Sequence, residues 1–321
     1  MSKRPPAPSV TRVLYVAGTG RSGSTLLARV LDRADGVFAA GELRYVWQRG
    51  LVEDRVCGCG EPFSRCPFWA EVLDRAFGGP PVDAPGIIDT QRSLTRLRHV
   101  PRTLTIGGPE APAGYLESLA RLYGAVAEVS GCDVVVDSSK LPSYGSVIAQ
   151  VPGLDVRVVH LVRDPRGAAY SWSRSKPQPD GDGTMQRMSV VKSSSLWLAW
   201  NASAPLLFRD RDRYRAIRYE DLVARPRDTV DEILAFAGHT GDGAPFVGER
   251  TVALERSHTV AGNPNRLESG RVELREDQAW TTALGRARRA LVTAVTAPLL
   301  GRFDYPLVVK PGPFGDLTVP Q

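Results

Sequence analysis

The stretch VLYVAGTGRSGSTLLARVL, residues 13–31, constrains this chain more than any other. Its apolar run at 13–18 reads as a buried strand, GTGRSGST as a glycine-rich turn, and about 23–34 as an amphipathic helix. A strand that enters a helix through such a turn aims backbone N–H groups at one point, beside the positive end of the helix dipole. That arrangement suits phosphate. Gly18, Gly20 and Gly23 permit close approach, Ser22, Ser24 and Thr25 add hydroxyl donors, and Arg21 adds a guanidinium. A nucleoside-triphosphate loop carries a lysine just before its final Ser/Thr. Here Gly18 to Thr25 has Ser24 in that slot. The loop therefore favours a phosphate that need not be bridged by a metal ion.

Further apolar runs at 36–40, 133–137, 156–162 and 214–219 read as strands. Helical patterns follow at about 141–150, 165–175, 192–209 and 226–237, with another over roughly 276–298. This alternation predicts an α/β fold, a parallel β-sheet flanked by helices. With 321 residues and 42% hydrophobic content, a sizeable core is available. Residues 1–11 read as a flexible tail and 12–321 as a single domain. An insertion at about 50–130 reads as lying on one edge of the sheet, where it would shape an acceptor pocket. No signal peptide or membrane span is read, and a cytoplasmic setting is expected.

A formal charge of +6 suits an anionic ligand. Nucleic acid is not the expected partner, because the basic stretches TRLRHVPRT and RDRDRYRAIR lack interleaved aromatics for base stacking. Only five of the 41 basic residues are lysine, which draws attention to Lys140.

VRVVHLVRDPRGAAYSWSRSK, residues 156–176, supplies a second anchor. Asp164 and Pro165 read as N-cap and first helical residue. Gly167, Ser171 and Arg174 then share one helix face, and Arg163 with Ser171 can grip a second phosphate.

Together the two anchors resemble those of the sulfotransferases that use 3′-phosphoadenosine 5′-phosphosulfate (PAPS). GRSGST is similar to that family's 5′-phosphosulfate loop, which places Arg21, Ser22, Gly23, Ser24 and Thr25 at the 5′ end. VRDPRGAAYS is similar to its 3′-phosphate segment, with Arg163 and Ser171 at the matching eight-residue spacing. GELR and SSKLP resemble segments of the tyrosylprotein branch, which implies Glu42 as general base and Lys140 as catalytic lysine. IRYEDLVARP suggests Tyr219 beside the nucleotide, and RSHTVAGNPNR suggests Ser257, Asn263 and Arg266 in a closing loop. The resemblance implies a P-loop-like sulfotransferase fold, PAPS as co-substrate, PAP as product, and no required metal. It also implies transfer to a hydroxyl, or an amine, of a small-molecule, carbohydrate or other acceptor. Two alternatives stay open: a small-molecule or nucleoside kinase with a degenerate loop, and a non-catalytic nucleotide-binding protein.

Among the four histidines, His160 reads as a satisfied core residue and His258 as the rival base to Glu42. Cys57, Cys59 and Cys66 fall within ten residues, but no fourth metal ligand is evident and the spacing is not C-x2-C. They read by default as reduced thiols packing a turn, with a local Cys59–Cys66 or Cys57–Cys66 disulfide as the alternative. Trp172, Trp197, Trp200 and Trp280 read as core, and Trp47 as a candidate for the acceptor wall.

Overall fold

The computed structural model describes residues 10–81, 83–96, 110–175, 177 and 184–308. Residues 1–9 of the expected tail, most of the basic stretch at 95–103 and most of the Pro/Gly cluster at 177–183 lie outside them.

Apolar residues alternate along β1 (Thr11–Gly18), and the alternation decides what covers each face of the sheet. Val13, Tyr15 and Ala17 turn to one side. Leu14 and Val16 turn to the other, against Leu27, Val30 and Leu31 of α1 (Ser24–Leu31). The strand lies at the centre of a parallel sheet that also contains β2 (Val37–Gly41), β3 (Val134–Lys140), β4 (Leu154–Val162) and β5 (Tyr214–Arg218). The order is β2-β3-β1-β4-β5, with Val13 paired to Val135 on one flank and Val156 on the other. The chain runs from β1 to β2 on the β3 side, and from β3 across β1 to β4 on the other, so the strand order reverses beside β1. Ligand crevices form at such a switch point, outside the carboxyl ends of the strands.

The segment read as an edge insertion instead covers a face. It contributes α2 (Pro67–Phe77), α3 (Ala84–Thr95) and α4 (Ala113–Ser130). Tyr115, Leu119, Leu122, Tyr123 and Val126 form a helical stripe on α4, and they pack with Trp69 and Val72 into the cluster that holds Val13, Tyr15 and Val135. Parallel neighbours need a long crossover, and residues 42–133 are the crossover from β2 to β3. Trp47 belongs to this core too. It is fully buried and sits edge-on to Phe77 at 5.7 Å, not on a pocket wall.

After β3 come α5 (Pro142–Ile148), α6 (Pro165–Ser173), α7 (Val190–Leu207), α8 (Tyr219–Ala224) and α9 (Pro226–Phe236). The chain then forms an antiparallel pair, β6 (Thr251–Leu254) and β7 (Gly270–Glu273). The final helical pattern divides into α10 (Trp280–Ala283) and α11 (Arg286–Leu300), parted at Gly285, whose extended backbone opens the second helix. His160 is a satisfied core residue. Its Nε2–H faces Asn201 Oδ1 at 2.8 Å, its Nδ1 accepts from the Tyr214 hydroxyl at 2.7 Å, and burial lowers its pKa to about 4. Among the described residues no helix is long and apolar enough to cross a membrane.

Candidate functional site

Each parallel strand delivers one residue to a single cavity of about 870 Å³ at the carboxyl edge of the sheet. Arg21 follows β1, Glu42 follows β2, Lys140 closes β3, Arg163 follows β4, and Tyr219 follows β5. Five cationic side chains on its wall (Arg21, Arg44, Arg49, Lys140, Arg163) face three acidic ones (Glu42, Glu268, Asp277), so the cavity favours an anion.

The glycine-rich turn is fixed by two aromatic rings. Gly23 has φ +95°, and a Cβ there would lie 2.5 Å from the Tyr219 ring. Gly20 has Trp172 against it so closely that a Cβ would sit 2.4 Å from the indole. The Trp172 Nε1–H donates to the Gly20 carbonyl at 3.1 Å. Arg21, itself at φ +69°, lays its guanidinium over Trp172 at 4.8 Å. Its Nε and Nη1 are buried without a hydrogen-bond partner, a charged donor pair suited to an anion. Burial lowers the Arg21 pKa, and the Glu42 carboxylate partly offsets this. Ser24 and Thr25 line the cavity, whereas Ser22 is buried beneath the loop.

Arg163 and Ser171 open onto the same cavity as Arg21. Asp164 caps α6 by accepting from the Arg166 amide at 2.8 Å, and Pro165 takes the first helical position, as the sequence predicts. The Arg163 guanidinium lies over the Tyr219 ring at 4.6 Å. It donates to the Arg21 carbonyl at 3.3 Å and pairs with Asp277 at 3.2 Å. The two anchors are thus in contact through the loop backbone.

On the facing wall, Lys140 Nζ donates to Glu42 Oε1 at 2.6 Å and to the Ser138 carbonyl at 3.2 Å. Both side chains are largely buried, at 13% and 11% exposed, so water screens the pair little. Lys140 is the last residue of β3, not a loop residue three positions beyond it, and its φ of +70° turns the chain there. Asp137 positions this wall. It accepts from the Leu43 and Ser139 amides, the Ser139 hydroxyl and the Tyr123 hydroxyl, and its burial raises the carboxyl pKa to about 6.

The late loop is divided. Asn263 lines the cavity and its amide donates to Thr25 Oγ1 at 3.3 Å. Ser257 is not on the cavity wall and bonds to the Asp32 carboxylate. Arg266, 1% exposed, donates to the carbonyls of Val56 and Thr259. Arg174 stacks on Tyr170 at 5.6 Å, also outside the cavity lining. His258 faces the cysteines, not the cavity.

Part of the wall escapes sequence reasoning. Among the described residues, none from 50–130 lines the cavity. The wall is completed by Tyr45, with Arg49 over its ring at 4.0 Å, and by Met188, Leu196 and Trp200. Trp172 and Trp200, which read as core, face the cavity. Trp197 touches it while donating to the Arg163 carbonyl at 2.8 Å, and Trp280 remains core.

A glycine-rich loop at the switch point of a parallel sheet, completed by an arginine from the next strand, defines an α/β protein of the P-loop type. Residues 142–257 match the family model described as "Sulfotransferase domain". Human carbohydrate sulfotransferase 5 is 27% identical over 202 residues, 52% of this chain and 44% of that protein. Mouse carbohydrate sulfotransferase 3 is 25% identical over 177 residues, 50% and 36% of the two chains. The chain therefore spans less than half the length of these relatives. In fold it is similar to the sulfotransferase domain from the Synechococcus PCC 7002 olefin synthase, with a TM-score of 0.54 at 22% identity over 95% of this chain and 99% of that one. The sulfotransferase domain from the curacin biosynthetic pathway gives 0.53 at 17% identity over 94% and 99%. Residues 142–257 thus match a sulfotransferase domain, and the fold is that of sulfotransferase domains.

Proposed function

We propose that this chain transfers a sulfuryl group from PAPS to a hydroxyl of a carbohydrate or related small molecule, acting as one domain over residues 12–321 in a cytoplasmic setting. The observation that carries the reading is the meeting of Arg21, Arg163 and Ser171 with the Glu42–Lys140 pair in one cavity. Bound there, PAPS supplies an activated sulfuryl group. Arg21, Ser24, Thr25 and the turn amides would hold its 5′ end, and Arg163 with Ser171 its 3′-phosphate.

Glu42 takes the acceptor proton, and the acceptor oxygen forms its bond to sulfur as the bond from sulfur to the 5′-phosphate oxygen breaks. Negative charge then collects on the departing oxygen, where Lys140 and Arg21 neutralise it. Lys140 suits this place because a compact ammonium can also give a proton to that oxygen. Holding Lys140 on Glu42 keeps both groups on one wall until the nucleotide offers the lysine a second anion. Ser24, in the position of an ATP loop's lysine, supports a donor that does not require a bridging metal.

A carbohydrate acceptor is supported by the matched relatives and by the wall chemistry. Tyr45 and Trp200 add aromatic surface to the wall, and Arg44 and Arg49, both stacked over Tyr45, offer charge to an acidic sugar. The test is incubation with sulfur-labelled PAPS and a panel of glycans and small alcohols, with Glu42→Gln as control. Label transfer by the wild type but not the variant supports the reading. Phosphorylation from Mg-ATP with no response to PAP overturns it.

A further inference from the structure

A second polar constellation lies outside the cavity. Cys57, Cys59 and Cys66 come from the segment that leads into α2, and His258 arrives from the stretch after β6, about 190 residues away in sequence. The Cys66 Sγ is 3.2 Å from His258 Nδ1, the Cys57 Sγ 3.9 Å from the same nitrogen, and the Cys59 and Cys66 sulfurs are 3.8 Å apart. All four donor atoms fall within 4.8 Å of one another. His258 supplies a fourth donor atom that the local cysteine spacing does not reveal.

These separations bracket those that one particular ion would set. With Zn–S of about 2.3 Å and Zn–N of about 2.0 Å, a tetrahedral zinc sets its ligand atoms roughly 3.5–3.8 Å apart. A disulfide would bring two sulfurs to about 2.05 Å, and all four cysteines of the chain are free. Three soft thiols with one imidazole are a donor set for zinc rather than for magnesium or calcium. We propose that Cys57, Cys59, Cys66 and His258 Nδ1 hold one structural zinc ion. With four protein ligands the site has no open position, so its role is to join two segments rather than to activate water.

The surroundings support that role. Phe68 stacks on the His258 ring, 4.9 Å away and 9° from parallel, fixing the plane that turns Nδ1 to the sulfurs. The Gly58 amide donates to the Thr259 carbonyl at 2.9 Å, and a Cβ at Gly58 would lie 2.3 Å from the Ser257 carbonyl, so the two segments are already in contact. Three thiolates around a dication leave one net negative charge. The buried Arg266 guanidinium bonds at 2.6 Å to the carbonyl preceding Cys57 and at 3.2 Å to the one following His258.

The stretch held in this way reaches the active wall. The Val260 amide donates to the Ala40 carbonyl, the Glu42 amide donates to the Ala261 carbonyl, and Gly262 and Asn263 line the cavity. The ion would therefore position the backbone of Glu42 and one side of the cavity from behind.

The test is metal analysis of the full-length protein, purified from zinc-supplemented cells under reducing conditions. We expect about one zinc per chain, and after cobalt exchange the visible absorption of tetrahedral cobalt with a thiolate charge-transfer band. His258→Ala should weaken zinc retention against a chelator by about 10–100-fold and change the cobalt spectrum, whereas Cys132→Ser should leave both unaltered. Wild-type protein that carries no zinc and gives no cobalt spectrum overturns the proposal. So does a Cys59–Cys66 disulfide found by mass spectrometry in protein made in a reducing cytosol. Neither readout depends on PAPS, so it stands or falls apart from the proposed reaction.

Discussion

Lys140 Nζ rests 2.6 Å from Glu42 Oε1, and the two residues stand at the carboxyl ends of adjacent strands, where Gly41 pairs with Asp137. Sheet register brings a carboxylate and an ammonium from 98 positions apart onto one wall of a basic cavity. The chemistry proposed above divides between these two groups.

Replacing Glu42 with Gln removes the proposed proton acceptor and leaves a side chain of nearly the same shape. Turnover should fall by about 10²–10⁴-fold, while PAP binds as well as before or more tightly because Lys140 is released. Single-turnover kinetics and calorimetry separate the two effects. Parallel loss of both would assign Glu42 a structural role.

Arg163→Ala should act on binding. Arg163 is 8% exposed, and its guanidinium is fixed by Tyr219, Asp277 and the Arg21 carbonyl, so little ordering is needed when an anion arrives. Losing a charge-assisted contact of about 1.5–3 kcal/mol should raise the KM for PAPS by roughly 10–150-fold. Asp277→Asn, which removes the competing carboxylate, should keep or improve the affinity.

Asp137 gives the fold a pH dependence of defined sign. Its native pKa, raised by burial to about 6, exceeds the unfolded value of about 3.9, so the native state keeps a proton that the unfolded chain releases. The contribution is complete below about pH 4 and is lost as pH rises through 6, on the order of 3 kcal/mol in all. Urea melts of wild type and Asp137→Asn should show the wild-type advantage shrinking between pH 4.5 and 7. A widening gap would contradict this.

Gly23→Ala should be costly at both levels. The residue sits at φ +95° with no space before the Tyr219 ring, so a methyl group must displace either the loop or the ring. A loss of roughly 1–2 kcal/mol should lower the melting temperature by about 1.5–3 °C. PAP affinity should fall with it, because the turn amides move.

Legibility followed the range of the signal. The loop after β1 and the Asp164–Pro165 helix start are local patterns, and both appear where the sequence puts them. β3 runs three residues further than its apolar stretch because Ser138 and Ser139 continue the strand, with Ser139 bonded back to Asp137. Trp47 and Trp172 show the limit of composition. Both are aromatic on helical segments, but one packs against Phe77 in the core and the other against Gly20 at the cavity. The segment at about 50–130 reads as an edge insertion yet covers a face, because α4's apolar stripe does not say which part of the sheet it will cover. His258 belongs with the cysteines only through the folded path after β6, which no local spacing encodes.

The central claim is that Arg21 and Arg163 serve one ligand with phosphates at both ends. Calorimetric titration with PAP in the presence of EDTA tests it most directly. The account predicts one site per chain in the wild type, with affinity weakened at least tenfold by Arg21→Ala and by Arg163→Ala separately, and adenosine 5′-phosphate sensitive only to the first. Wild-type protein that takes up no heat with PAP, or binding indifferent to Arg163, would contradict it.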